Sequence, residues 1–172
     1  MKFPSLGETA QLTATVHDQN GNAMVGAAVA WASTDPTVAT VDQSGLVTAA
    51  GNGETNLTAT AGAATAMVAV VVEQVPNSIV LSALPDSLAV GDSIQMTAEA
   101  LDGLDNLIAG TTFEWSSSDT MIATIDQEGW VRAKAAGSTE ITAAAGTTAS
   151  ATAMVTGVQG PRTLLVWAAR GS

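Results

Sequence analysis

Cysteine is absent from the 172 residues, aromatic side chains make up 3%, and five residues are Lys or Arg. Without cysteine, neither a disulfide nor a thiolate metal site can form. With so few aromatics the core has to come from Val, Ala, Leu, Ile and Met. Such side chains suit a thin two-sheet sandwich better than a deep ligand pocket. Five basic residues against 16 acidic ones give a net charge of −11. That balance argues against nucleic acid and anionic membrane surfaces, both of which need a basic face. The longest apolar runs, 67–72 and 164–169, fall far short of the roughly 20 residues of a membrane-spanning helix. The opening MKFPSLGETAQL has no apolar stretch of the signal-peptide kind.

What is present is 47% apolar residue content and a repeat. Residues 31–47 read WASTDPTVATVDQSGLV, and residues 115–131 read WSSSDTMIATIDQEGWV, 84 positions later without a gap. Each copy begins on a Trp and passes through a Ser/Thr/Asp turn into a short apolar strand. Asp-Gln then leads to a Gly that opens the next strand. Around this unit, 12–16, 25–31, 55–61 and 64–72 alternate with period two or carry short apolar runs, which predicts strands. Asn20-Gly21 predicts a tight turn between the first two. Turn residues recur every 8–12 positions, so about seven short strands per copy are expected, a sandwich pattern.

The expected fold is therefore all-β: two tandem immunoglobulin-like Greek-key sandwiches over 1–74 and 75–157. The short link at 73–78 contains Pro76, which has no N–H for a ladder and limits freedom between the copies. Copy two begins with Ile79-Val80-Leu81, for which copy one has no counterpart, so the first sandwich is expected to lack its N-terminal strand. The tail, 158–172, contains Pro161-Arg162-Thr163-Leu164-Leu165-Val166-Trp167, which parallels residues 76–82 and resembles the first strand of a further module. A cut through a longer array explains both ends. So does exchange of the strand Thr163, Leu164, Leu165, Val166 and Trp167 between molecules.

The motif W-x-S-x-D-x-x-[VI]-A-T-[VI]-D-x-x-G-x-V, followed by G-x-T-x-[LI]-T-A at 53–59 and 137–143, resembles the bacterial Ig-like domain group 2 (Big-2) family. The resemblance covers about residues 7–156. It implies an Ig-like sandwich of the kind found in bacterial surface and secreted proteins such as invasin and intimin, serving as spacer, stalk or adhesive unit. Two departures stand out: the missing first strand of copy one, and Trp130 where copy one has Leu46.

No catalytic site is expected. His17 is the only histidine and matches Leu101 in copy two, with no nucleophile elbow or oxyanion motif beside it. Asp35/Asp119 and Asp42/Asp126 recur at turns, where a short acceptor side chain bonds its own backbone. Asp18-x-Asn20-x-Asn22 has the start of a calcium loop, but Ala23 and Val29 stand where the loop needs Gly and Glu. Asn56-Leu57-Thr58 is a glycosylation triplet that copy two lacks. No metal or cofactor is expected. Trp130, Arg132 and Lys134 fall on one strand face by period two, opposite Val131 and Ala133. They form a possible contact face for a glycan or an acidic protein. Trp31 and Trp115 are expected as core anchors, flanked by Val29, Val41, Val47, Phe113, Ile125 and Val131.

Three readings of function follow. One is a non-catalytic spacer, display or adhesive segment of a bacterial cell-surface or secreted protein, with extracellular partners. The second is a structural subunit joining neighbouring copies of itself through its C-terminal strand. In the third, the chain is an accessory part of a secreted enzyme whose catalytic domain lies elsewhere.

Overall fold

The computed structural model describes residues 1–160. Contacts divide the chain into two compact units. Unit 1 comprises 1–78 with 100–110, and unit 2 comprises 79–99 with the residues from 111 onward.

In unit 1, β1 (Lys2–Phe3), β2 (Thr9–Gln11), β3 (Ala30–Ser33), β4 (Ala39–Val41), β5 (Leu46–Ala49), β6 (Gly53–Ala61) and β7 (Ala64–Val72) form two sheets. Their orders are β1-β7-β6-β3 and β2-β5-β4. In the second repeat, β8 (Ser78–Leu81), β9 (Leu88–Ala89), β10 (Ser93–Gln95) and β11 (Ala98–Leu101) come first. They are followed by β12 (Glu114–Ser117), β13 (Ala123–Ile125), β14 (Trp130–Ala133), β15 (Gly137–Ala145) and β16 (Ala149–Val158). Its sheets run β9-β16-β15-β12 and β10-β14-β13, the same order strand for strand, and both repeats contain one parallel pair (β1–β7, β9–β16). The second repeat has in addition the pair β8–β11. The protein is a tandem pair of all-β Ig-like sandwiches, and the first lacks the strand equivalent to β8.

Long strands form where Thr and small apolar residues alternate. In β15 the inward positions Thr139, Ile141, Ala143 and Ala145 are buried while Glu140 is exposed. The unit 2 core gathers Ile141 and Ala143 with Leu88, Met96, Trp115, Ala123, Val131 and Val155, and with Leu81 and Leu84 from the first-strand segment. Unit 1 packs Phe3, Val38, Ala39, Val47, Ala49, Leu57, Val70 and Val72. The Gly of each repeated turn is fixed by geometry. Gly129 has φ +85°, and a Cβ there would sit 2.3 Å from the Met96 carbonyl oxygen. Left-handed backbone alone costs an L-residue about 1–2 kcal/mol. Gly129→Ala is therefore expected to destabilise unit 2 by about 2–3 kcal/mol, seen as a lower midpoint for one calorimetric transition. An unchanged midpoint would contradict the assigned turn.

Three expectations from the sequence need correction; two of them, at 12–16 and at Trp31, share a cause, while the late start of β3 is matched by β12, which begins at the equivalent Glu114. Residues 12–16 form no strand beyond the end of β2, and the strand expected over 25–31 begins only at Ala30. Trp31 is half-buried and lies outside the core cluster, whereas Trp115 is 8% exposed and inside it. In the second repeat β8 pairs with β11, and Leu81 and Leu84 of its segment pack against the core cluster that contains Trp115. Without such a strand, the matching segment of unit 1 has no ladder partner, its alternation is not converted into a strand, and its Trp stays partly in solvent. Val25 is fully exposed, at 100%.

Candidate functional site

The repeated polar residues are consumed by the fold. Asp42 Oδ1 accepts from the N–H groups of Ser44 and Leu46, at 2.8 and 3.0 Å. Asp126 Oδ1 does the same with Glu128 and Trp130, at 3.0 and 2.9 Å. Asp35 accepts from Thr37 N–H, and Asp119 from Met121 N–H. The Ser44 hydroxyl holds the Asp42 carboxyl below its ordinary range, and the Thr37 hydroxyl does so for Asp35. Buried Thr55 and Thr139 each accept a hydrogen bond of 2.9 Å from the Asp turn 20 residues earlier, Asp35 N–H and Asp119 N–H. These carboxylates build turns; none is aimed into a cleft as an acid–base pair.

Sequence reasoning missed one recurring device. The Gln43 and Gln127 amides bridge the backbone N–H and C=O of Trp31 and Trp115, acting like a short strand. Gln127 Oε1 accepts from Trp115 N–H at 3.2 Å, and its Nε2 donates to Trp115 O at 3.2 Å. Gln43 makes the same pair at 3.5 and 3.2 Å. The signal was available, since a Gln follows each Trp at the same spacing.

The Asp/Asn turns differ between repeats. Asp18 Oδ1 accepts from Asn20 and Asn22 N–H on the surface, and the Asn22 N–H leads the bonds that hold its carboxyl low. Asp102, its counterpart, is 0% exposed within unit 1. There Oδ1 accepts from Leu104 and Asn106 N–H, and Oδ2 from Leu6 N–H at 2.9 Å and Gln74 Nε2 at 3.0 Å. Burial opposes ionisation of Asp102. The bonds from Gln74, Asn106, Leu6 and Leu104 outweigh it and hold the carboxyl far below the usual carboxylate range. Both Asp102 oxygens are thus already occupied. Among the described residues no cluster of three or more His, Asp or Glu is close enough to hold a metal ion. His17 is exposed and forms a backbone bridge with Ala23. Asn56 is an exposed residue of β6.

Trp130, Arg132 and Lys134 are all exposed, Trp130 at 44%, while Val131 and Ala133 between them are buried. Their neighbours across the sheet are Gln95 opposite Trp130, and Ser93 and Thr124 opposite Arg132. In unit 1 the Trp130 position is Leu46, with Thr48 opposite Thr9 and Thr40. The segment 163–167 lies outside the described residues.

The sequence profile of the bacterial Ig-like domain (group 2) family matches residues 5–72 and 78–155, most of the chain and both repeats. The chain belongs to this family. Its repeated Trp, Asp, Gln and Gly positions are thus the framework of two Big-2 modules. One similar protein is ice-binding protein 1 of Shewanella frigidimarina, 39% identical over 150 residues, covering 85% of this chain and 17% of that protein. An uncharacterised protein of Clostridium acetobutylicum is 32% identical over 142 residues, covering 81% of this chain and 14% of that protein. This chain thus spans less than a fifth of either relative. Among solved structures, domains 1–6 of surface layer protein SbsC align at TM-score 0.47 and 27% identity, covering 87% of this chain and 23% of that one. A C-terminal intimin fragment in complex with its receptor's intimin-binding domain aligns at TM-score 0.41 and 17% identity, covering 83% of this chain and 55% of that one.

Proposed function

We propose that this Big-2 pair is a non-catalytic structural and adhesive segment of a bacterial cell-surface or secreted protein, with modules over 1–74 and 75–157 serving as spacer or display units. One observation carries the reading. The polar residues that recur in both modules are spent on turns and backbone bridges, and Trp130, which stands where the first module has Leu46, lies on the outside. The exposed stripe of Trp130, Arg132 and Lys134 is the partner-contact face in this reading. An aromatic with flanking cations offers both a stacking surface and charge to a glycan or an acidic protein. The covered share of each relative fits a repeated module inside a much longer protein.

Protease treatment of intact cells that carry the full-length protein tests this assignment. Peptides from residues 1–160 are expected in the fraction shaved from unlysed cells or in the secreted fraction. Their recovery only after lysis would overturn it.

A further inference from the structure

Unit 1 has an open groove along the edge at 12–15 that, unlike its counterpart in unit 2, has no pairing strand. It measures about 290 Å³ and is lined by Leu12, Ala14, Trp31, Leu57, Ala59 and Val68 among others, and a second hollow of about 210 Å³ continues past Ala14 and Val16. One wall is a bare backbone edge. Among the described residues, the main-chain groups of Thr13, Ala14 and Thr15 have no hydrogen-bond partner. Their counterparts in the second repeat are served. Thr97 O accepts from Ser82 N–H, Thr97 N–H donates to Ser82 Oγ, and β11 is paired with β8. Burial follows the pairing: Met96 and Ala100 are buried, whereas Leu12 and Val16 are only half so. An apolar groove beside an unpaired edge is what strand addition requires, since the edge supplies main-chain bonds and the groove selects alternate side chains.

We propose that this groove is an acceptor for residues 163–167 of a second copy of the chain. Three features select that occupant. Aligning Pro161 with Pro76 places Leu164 at the position of Ile79 and Val166 at that of Leu81, a half-buried residue packed on the unit 2 core. Leu165 then aligns with Val80, which is exposed. Residues 161–172 also carry Arg162 and Arg170 and no acidic residue, in a chain of net charge −11. Pairing is therefore assisted by charge as well as by apolar burial. The inference concerns the 172-residue chain, in which unit 1 has no strand equivalent to β8.

Light scattering coupled to size-exclusion chromatography on the 172-residue chain, from about 1 μM to about 1 mM, reads the assembly. The mass-average is expected to rise at least twofold above the 17.2 kDa monomer across that range. The double variant Leu164→Asp, Val166→Asp is expected to remain monomeric, as is Ala14→Arg, which places a charge on the exposed edge. Mixing the two is expected to give a one-to-one pair and nothing longer, since one retains the donor and the other the acceptor. A monomer at every concentration would overturn the proposal, as would assembly of the donor variant equal to that of the parent. Circular dichroism of both variants matching the parent keeps loss of assembly distinct from loss of fold.

Discussion

Trp115→Ala is expected to destabilise unit 2 by about 3–5 kcal/mol, while Trp31→Ala costs unit 1 only about 1–2 kcal/mol. The two tryptophans hold the same place in the same motif, and each has its backbone bridged by a Gln amide. What differs is the cover. Trp115 is 8% exposed, contacts Phe113 at a ring separation of 6.5 Å, and lies in a core to which Leu81 and Leu84 contribute. Emptying that site leaves a cavity whose walls are held by two sheets. Trp31 lines an open groove, so truncation mainly removes a half-wetted surface. Scanning calorimetry on the full chain, with the two transitions assigned through these variants, provides the comparison. Equal losses at both sites would mean that the first module is as closed as the second.

Asp102→Ala is expected to cost unit 1 about 3 kcal/mol or more. It strands the N–H groups of Leu6, Leu104 and Asn106 and the Gln74 amide around a buried void. The same carboxylate makes that unit acid-sensitive. Its folded pKa is lowered, so as pH falls the unfolded chain takes up the proton first. The stabilisation is complete above the ordinary carboxylate range of about 4 and is lost progressively below it. Asp102→Asn removes this titration. The unit 1 midpoint is then expected to start lower at neutral pH and to fall less steeply between about pH 5 and pH 2. A variant whose acid profile runs parallel to the parent's would show that Asp102 is not the group responsible. By contrast, the exposed Lys2–Glu73 ion pair at 2.8 Å is screened by solvent and adds little.

Much of this was legible in the sequence, for identifiable reasons. The repeated Asp and Gly positions are local devices, set by an Asx turn and a left-handed φ that need only a few neighbouring residues. The long strands β6 and β15 follow from Thr/apolar alternation, which points the same way in sequence and in the folded sheet, and β7 follows from its apolar run. The absence of a β8 equivalent was visible as an unmatched segment. Its consequences were not. Residues 12–16 alternate like a strand, yet a strand also needs a neighbour to bond, and equality of sequence between Trp31 and Trp115 does not supply equal cover. The exposure of the 130–134 stripe follows from period two, because Val131 and Ala133 fill core positions. Asp102 was the least legible. Its local turn bonds match those of Asp18, and only the chain path brings Leu6 and Gln74 to its second oxygen.

Amide hydrogen exchange on the Leu164→Asp, Val166→Asp variant tests most directly whether the edge of the first module is unpaired and that of the second paired. Residues 13–16 are expected to exchange at close to the rate of an unstructured peptide. Residues 97–100, held by the β8 segment, are expected to exchange at least about 100-fold more slowly. Comparable protection of the two segments would contradict the open first sandwich, and with it the reading of Trp31 and of the acceptor groove.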